Sequence, residues 1–136
     1  MIIKILIPVY NDWQSVSKLL EKINSTVINL DHEISVIIIN DASNHDQNNE
    51  KQDLENIHSV KILNMKLNQG HARCIATGLK YIYEKENFDR VIVMDADGED
   101  RPEELNDFYK KTEENPNMTI TGNRFKRSDG FIFKLL

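Results

Sequence analysis

Apolar and polar positions fall in blocks along the chain. Four runs rich in β-branched residues stand out: Ile2–Ile7, Ile34–Ile39, Val60–Leu63 and Val91–Met94. They are continuous rather than alternating, which suits strands covered on both faces in a parallel sheet. Met118–Thr121 is a fifth, weaker run. Between the runs the period changes to that of a helix. Val16, Leu19, Leu20, Ile23 and Val27 form one apolar stripe, with Asp12 placed to cap its start. Ala72, Ile75, Ala76, Leu79, Ile82 and Tyr83 form a second. A third helix is expected from Pro102, since proline suits a first helical turn, and Asp100-Arg101-Pro102-Glu103 has capping-box spacing. The polar stretch 44–51 reads as a loop leading into a short helix.

Strand alternating with helix predicts right-handed βαβ units. The fold class is therefore α/β, a doubly wound, mostly parallel sheet with helices on both faces. Such sheets bind ligands beyond the carboxyl ends of their strands, near the topological switch point. Pro8–Asp12, Asn40–Ser43, Asn68–His71 and Asp95–Asp100 are thus expected at one edge.

Composition narrows the function. With 136 residues the length fits one domain, and 17 bases against 22 acids give a net charge of −5. No nucleic-acid partner is expected, because phosphate backbones call for a basic face. Cys74 is the only cysteine, which excludes an internal disulfide and a cysteine-based zinc site and points to a reducing, cytoplasmic setting. No apolar stretch approaches a membrane span of ~20 residues.

The strand ends carry the candidate chemistry. Pro8-Val9-Tyr10-Asn11-Asp12 lacks the Gly-x-Gly-x-x-Gly of dinucleotide sites, and no P-loop occurs. Asp41, in Asn40-Asp41-Ala42-Ser43, reads either as an acceptor for a ribose or base or as part of an Asx turn. Asp95 and Asp97 follow an apolar run and fall on one side of an extended chain, joined by Glu99 if Gly98 does not turn it away. Converging carboxylates of this kind suit Mg²⁺ or Mn²⁺, with a phosphate completing the coordination. Asp100, Glu103 and Glu104 are explained as acids at a helix start. The Asn68–Ala72 turn reads equally as an anion cradle and as a plain helix entry. Cys74 reads as a small packing residue. Arg124 and Arg127, in a basic stretch after the fifth run, are either phosphate contacts or solvated charge.

Ile7–Asp12, Ile39–Ser43, Asn68–His71 and Val93–Glu103, in this order and at these spacings, resemble an inverting family 2 glycosyltransferase of GT-A fold. Asp95-Ala96-Asp97-Gly98-Glu99-Asp100-Arg101-Pro102-Glu103 is similar to the DXD motif of the polyprenyl- and dolichyl-phosphate hexose synthase branch. The resemblance implies one nucleotide-sugar-binding domain over 1–136, an N-terminal donor-binding portion incomplete at its C-terminus. It implies a UDP- or GDP-hexose donor bound by Pro8, Tyr10, Asp12, Asp41 and Asp95. It also implies an Mg²⁺ or Mn²⁺ ion on Asp95, Asp97 and Glu99, and phosphate contacts from Arg124 and Arg127. The acceptor it implies is a polyprenyl phosphate or a glycan, which leaves room for peripheral membrane association and a homodimer, with the catalytic base expected beyond Leu136. Three departures are visible: Asn40 for the first acid of the usual pair, Ala72 for a frequent second glycine, and Glu99 for a common Gln.

Two classes of function remain open on these residues. One is a metal-dependent glycosyltransferase; the other is a nucleotide-sugar-binding piece of a longer enzyme with no turnover of its own. A nucleotidyltransferase is disfavoured, because it would want a Gly-rich, basic signature after the first strand.

Overall fold

In the computed structural model, residues 1–45 and 52–122 are described. The chain divides into two compact units, Met1–Glu104 and Leu105–Leu136. The first runs β1 (Ile2–Val9), α1 (Trp13–Val27), β2 (Glu33–Asn40), β3 (Ser59–Asn64), α2 (His71–Lys85) and β4 (Arg90–Val93), and closes with a 3₁₀ turn at Pro102–Glu104. In the second unit the described helix is α3 (Leu105–Glu114).

All four strands are parallel, in the order β3-β2-β1-β4. The chain steps outward from β1 to β3, then returns across β1 to add β4. The topological switch point therefore lies between β1 and β4. Pro8 is tolerated in this central strand because the β4 ladder ends at the Leu6–Val93 pair, leaving Pro8 flanked by Ile39 of β2.

The core confirms the α1 stripe: Val16, Leu19, Leu20, Ile23 and Val27 are all buried. Asp12 caps the helix, its Oδ1 accepting the Ser15 N–H at 3.3 Å. The α2 stripe is rotated from expectation. Its buried positions are Cys74, Gly78 and Ile82; Cys74 and Ile82 join Leu6, Ile37 and Ile39 in one cluster with Ile75 packed partly against it, while Ala72, Ala76, Leu79 and Tyr83 are exposed. Close approach explains the rotation. A Cβ on Gly78 would lie 2.4 Å from Leu6 Cδ1 and 2.9 Å from Ile39 Cγ1, so the middle of the helix meets the sheet through small residues, and only Ile82 of the expected stripe is fully buried.

Further expectations are corrected. β1 and β2 are covered on both faces as predicted, but β3 and β4 are only half-buried, each having one neighbouring strand among the described residues. Residues 118–121 form no strand; the run is short and Met118 is exposed, so it offers little apolar surface to bury. The third helix starts through the 3₁₀ turn, and Asp100 Oδ2 reaches back to accept the Asp95 N–H at 2.7 Å. Residues 46–51 of the polar loop lie outside the described residues, and the short helix expected to follow it is not formed, since residues 52–58 take only turns and bends before β3. Among the described residues no helix is long and apolar enough to cross a membrane.

Candidate functional site

The loops after β1 and β2 are tied together by a small polar lattice. Asn11 takes a left-handed conformation with φ +62°, which asparagine tolerates better than most residues. That turn aims its Oδ1 at the Asn44 N–H (2.7 Å) and the His45 N–H (3.3 Å), while the Asn11 N–H donates to Ser43 Oγ (2.8 Å). The Asn44 amide donates to the Tyr10 hydroxyl at 3.2 Å, orienting a ring that is half exposed. Asn40 Oδ1 accepts the Ser43 N–H at 3.0 Å, a local bond spanning three residues, while the carboxylate of Asp41 makes no Asx turn and turns instead to the 69–70 loop. Ala42 has φ +54°, a left-handed conformation costing about 1 kcal/mol, held by these surrounding bonds.

Asp41 lies just beneath. It is 4% exposed, and its two oxygens accept the N–H groups of Gln69 (2.7 Å) and Gly70 (2.9 Å). Gly70, at φ +89°, is the N-cap residue of α2 and has no side chain to cap with. Asp41 thus shapes the turn from a neighbouring loop. Burial alone would raise its pKa, but the two N–H donors and the Cys74 thiol outweigh it and hold the carboxyl below its ordinary range. The same partnership works in reverse on Cys74. Burial first, then the Asp41 charge, push the thiol up to about 12, so it is not a thiolate nucleophile at neutral pH.

At the switch point a pocket of about 200 Å³ opens between the β1 and β4 ends. It is lined by Pro8, Val9, Tyr10, Asp12, His71, Asp95, Ala96 and Asp97. Five of the residues singled out in the sequence therefore meet in one wall: Pro8, Tyr10, Asp12, Asp95 and Asp97. His71 joins them from α2, its Nε2 lying 3.2 Å from Asp95 Oδ1.

Glu99 is not part of this wall. Gly98, at φ +86°, breaks the extended run, and what reaches Asp97 is the Glu99 N–H, donating to Asp97 Oδ1 at 2.9 Å. Among the described residues no three His, Cys, Asp or Glu side chains are gathered as a metal cluster. Two hard carboxylates on one wall still fit a divalent ion that takes its remaining oxygens from a ligand's phosphates. Arg124 and Arg127 lie outside the described residues.

Sequence reasoning missed Val9, Ala96 and the tie formed by Asn11. The signal for Asn11 was its residue type directly before a helix cap.

A parallel α/β sheet with loop carboxylates at its switch point defines the class of doubly wound α/β proteins, whose ligands bind at that edge. Within that class the chain belongs to a particular family, Glycosyl transferase family 2, whose sequence model matches residues 4–135. Solved structures agree on the fold. The structure of S. aureus TarS aligns with a TM-score of 0.61 at 20% identity, covering 84% of this chain and 20% of that one. S. aureus TarS 1-349 in complex with UDP-GlcNAc aligns with a TM-score of 0.61 at 19% identity, covering 94% of this chain and 38% of that one. The complex of TarS 1-349 with UDP gives 0.59 at 20% identity and 94% and 39% coverage. The chain thus spans less than two fifths of the length of these structures.

Proposed function

We propose that the pocket at the switch point binds a nucleotide-diphosphate sugar, a UDP- or GDP-hexose, and that the chain serves a glycosyltransferase that transfers the hexose with inversion. The observation that carries this reading is the meeting of Pro8, Tyr10, Asp12, Asp95 and Asp97 in one wall. Family membership supports it, as do the UDP and UDP-GlcNAc bound by TarS. At about 200 Å³ the pocket is smaller than the ~300–1,000 Å³ of sites that enclose a whole drug-sized ligand, so it suits one end of the donor.

Tyr10, half exposed and oriented by Asn44, offers a face for a nucleobase. Asp41 acts on the base or ribose through the turn it shapes. Asp95 and Asp97 would repel a diphosphate on their own, which is the physical case for Mg²⁺ or Mn²⁺ between them. When bound, the ion supplies Lewis-acid stabilisation of the leaving nucleoside diphosphate. Asp95 and Asp97 would hold it, in the manner of a DXD motif. His71 steadies Asp95. A lipid-phosphate acceptor, anionic near neutral pH, would need little base assistance and would bring the protein to the inner face of a membrane. A glycan hydroxyl would need a carboxylate base.

The second reading is nucleotide-sugar binding without turnover, as the donor side of a longer enzyme. The coverage of less than two fifths of TarS favours it. Calorimetry with UDP and GDP in Mn²⁺, followed by assays of labelled hexose transfer to polyprenyl phosphate and to glycans, tests both. Saturable binding of either nucleotide is expected. Transfer would favour the first reading and binding without transfer the second, while absence of nucleotide binding would overturn both.

A further inference from the structure

A second concavity, of about 380 Å³, lies past the end of β3 on the other side of the 68–70 turn. It shares no residue with the switch-point pocket. His71 looks into the one, Gln69 and Arg73 into the other. Two cations line it, Lys66 from the β3–α2 connection and Arg73 from the first turn of α2, and no carboxylate does. In a chain of net charge −5 that is a local inversion of sign.

The guanidinium, though exposed, is oriented by one bond. Arg73 Nη1 donates to Gln69 Oε1 at 2.8 Å, and the Gln69 N–H is in turn held by buried Asp41. Among the described residues this is its one hydrogen bond, which leaves the other guanidinium N–H donors to a ligand. Lys66 makes no hydrogen bond or ion pair among the described residues. Leu67, 68% exposed, and Ala76 add apolar surface beside the charges, and Thr77 adds a hydroxyl.

We infer that this concavity is a binding site for a phosphate monoester carrying a compact apolar substituent. Two cations match the roughly −1.5 to −2 charge of such a group at neutral pH better than they match a carboxylate. A guanidinium fork suits phosphate oxygens, and Leu67 and Ala76 take the substituent. The site is independent of the donor reading above, because no lining residue is common to both.

The test is an amide NMR titration of the full chain with phenyl phosphate in EDTA, where the carboxylates of the switch-point pocket repel anions. Saturable shifts are expected at residues 65–69, 73 and 77. Inorganic phosphate should bind at least threefold more weakly and benzyl alcohol should not saturate. The exposed pair Lys66→Ala and Arg73→Ala together should weaken phenyl phosphate at least tenfold while leaving UDP affinity in Mn²⁺ unchanged. Vesicles of phosphatidylcholine with phosphatidate identify the source. Sedimentation that depends on Lys66 and Arg73 marks a lipid headgroup, and binding of phenyl phosphate alone marks a soluble ligand. Linear shifts, shifts centred on His71 and Asp95, or affinity indifferent to the double variant would overturn the site.

Discussion

Asp41 concentrates what single residues contribute here. With both oxygens accepting backbone N–H groups, its charge fixes the turn that leads into α2. Asp41→Asn keeps the size but replaces one acceptor by an NH₂ that faces another N–H. The expected cost is about 1–3 kcal/mol in stability, read as a lower urea midpoint, with weaker nucleotide binding. An unchanged midpoint would show that the carboxylate does not brace the turn. The sequence made Asp41 conspicuous by its place after a strand, but the partners it chose lie on another loop, beyond the reach of local pattern. Glu99 stands differently: it does not line the pocket that Asp95 and Asp97 share, because Gly98 at positive φ breaks the extended run on which the spacing argument rested.

At the scale of elements, α1 was fully legible because every large apolar residue on its stripe is used. α2 was not. Periodicity weighs side chains by hydrophobicity, whereas a helix lying close on a sheet selects for smallness, and Gly78 won over Leu79 and Tyr83. Mid-helix glycine to alanine ordinarily stabilises by about 0.5–1 kcal/mol. Gly78→Ala should instead destabilise by about 1–3 kcal/mol, because Leu6 and Ile39 are fully buried and cannot yield. Thermal melting of the variant decides the sign, and a raised midpoint would refute the close packing. β3 and β4 teach a related point. Their runs look like those of β1 and β2, and only strand order separates central from edge positions.

Across the whole molecule, the end of the sheet away from the pocket is held by an ion cluster in which Lys4 and Glu86 are covered and Lys61 is half exposed. Lys4 in β1 lies 3.6 Å from Glu86 Oε2, and Lys61 in β3 bonds Glu86 Oε1. The Lys61 bond foremost, with Lys4 assisting, holds the Glu86 carboxyl below its ordinary range against the opposing effect of burial. A depressed carboxyl contributes stability above its unfolded pKa, about 4.3, and loses it as pH falls through the lower folded value. Glu86→Ala would leave Lys4 buried without its partner, an expected loss of about 3 kcal/mol at pH 7. Urea midpoints at pH 7 and pH 3.5 should show the variant losing less stability on acidification than the parent. Equal losses would remove Glu86 from the acid response.

The central claim concerns the opposite edge, where Asp95 and Asp97 face one pocket. Its most direct test is calorimetric titration of UDP with and without Mn²⁺, on the parent chain and on Asp97→Ala. The account predicts that Mn²⁺ tightens UDP binding at least tenfold in the parent and that this gain disappears in the variant, whose metal-free affinity is not weakened. Equal UDP affinity with and without Mn²⁺ in the parent, or a full metal response in Asp97→Ala, would contradict it.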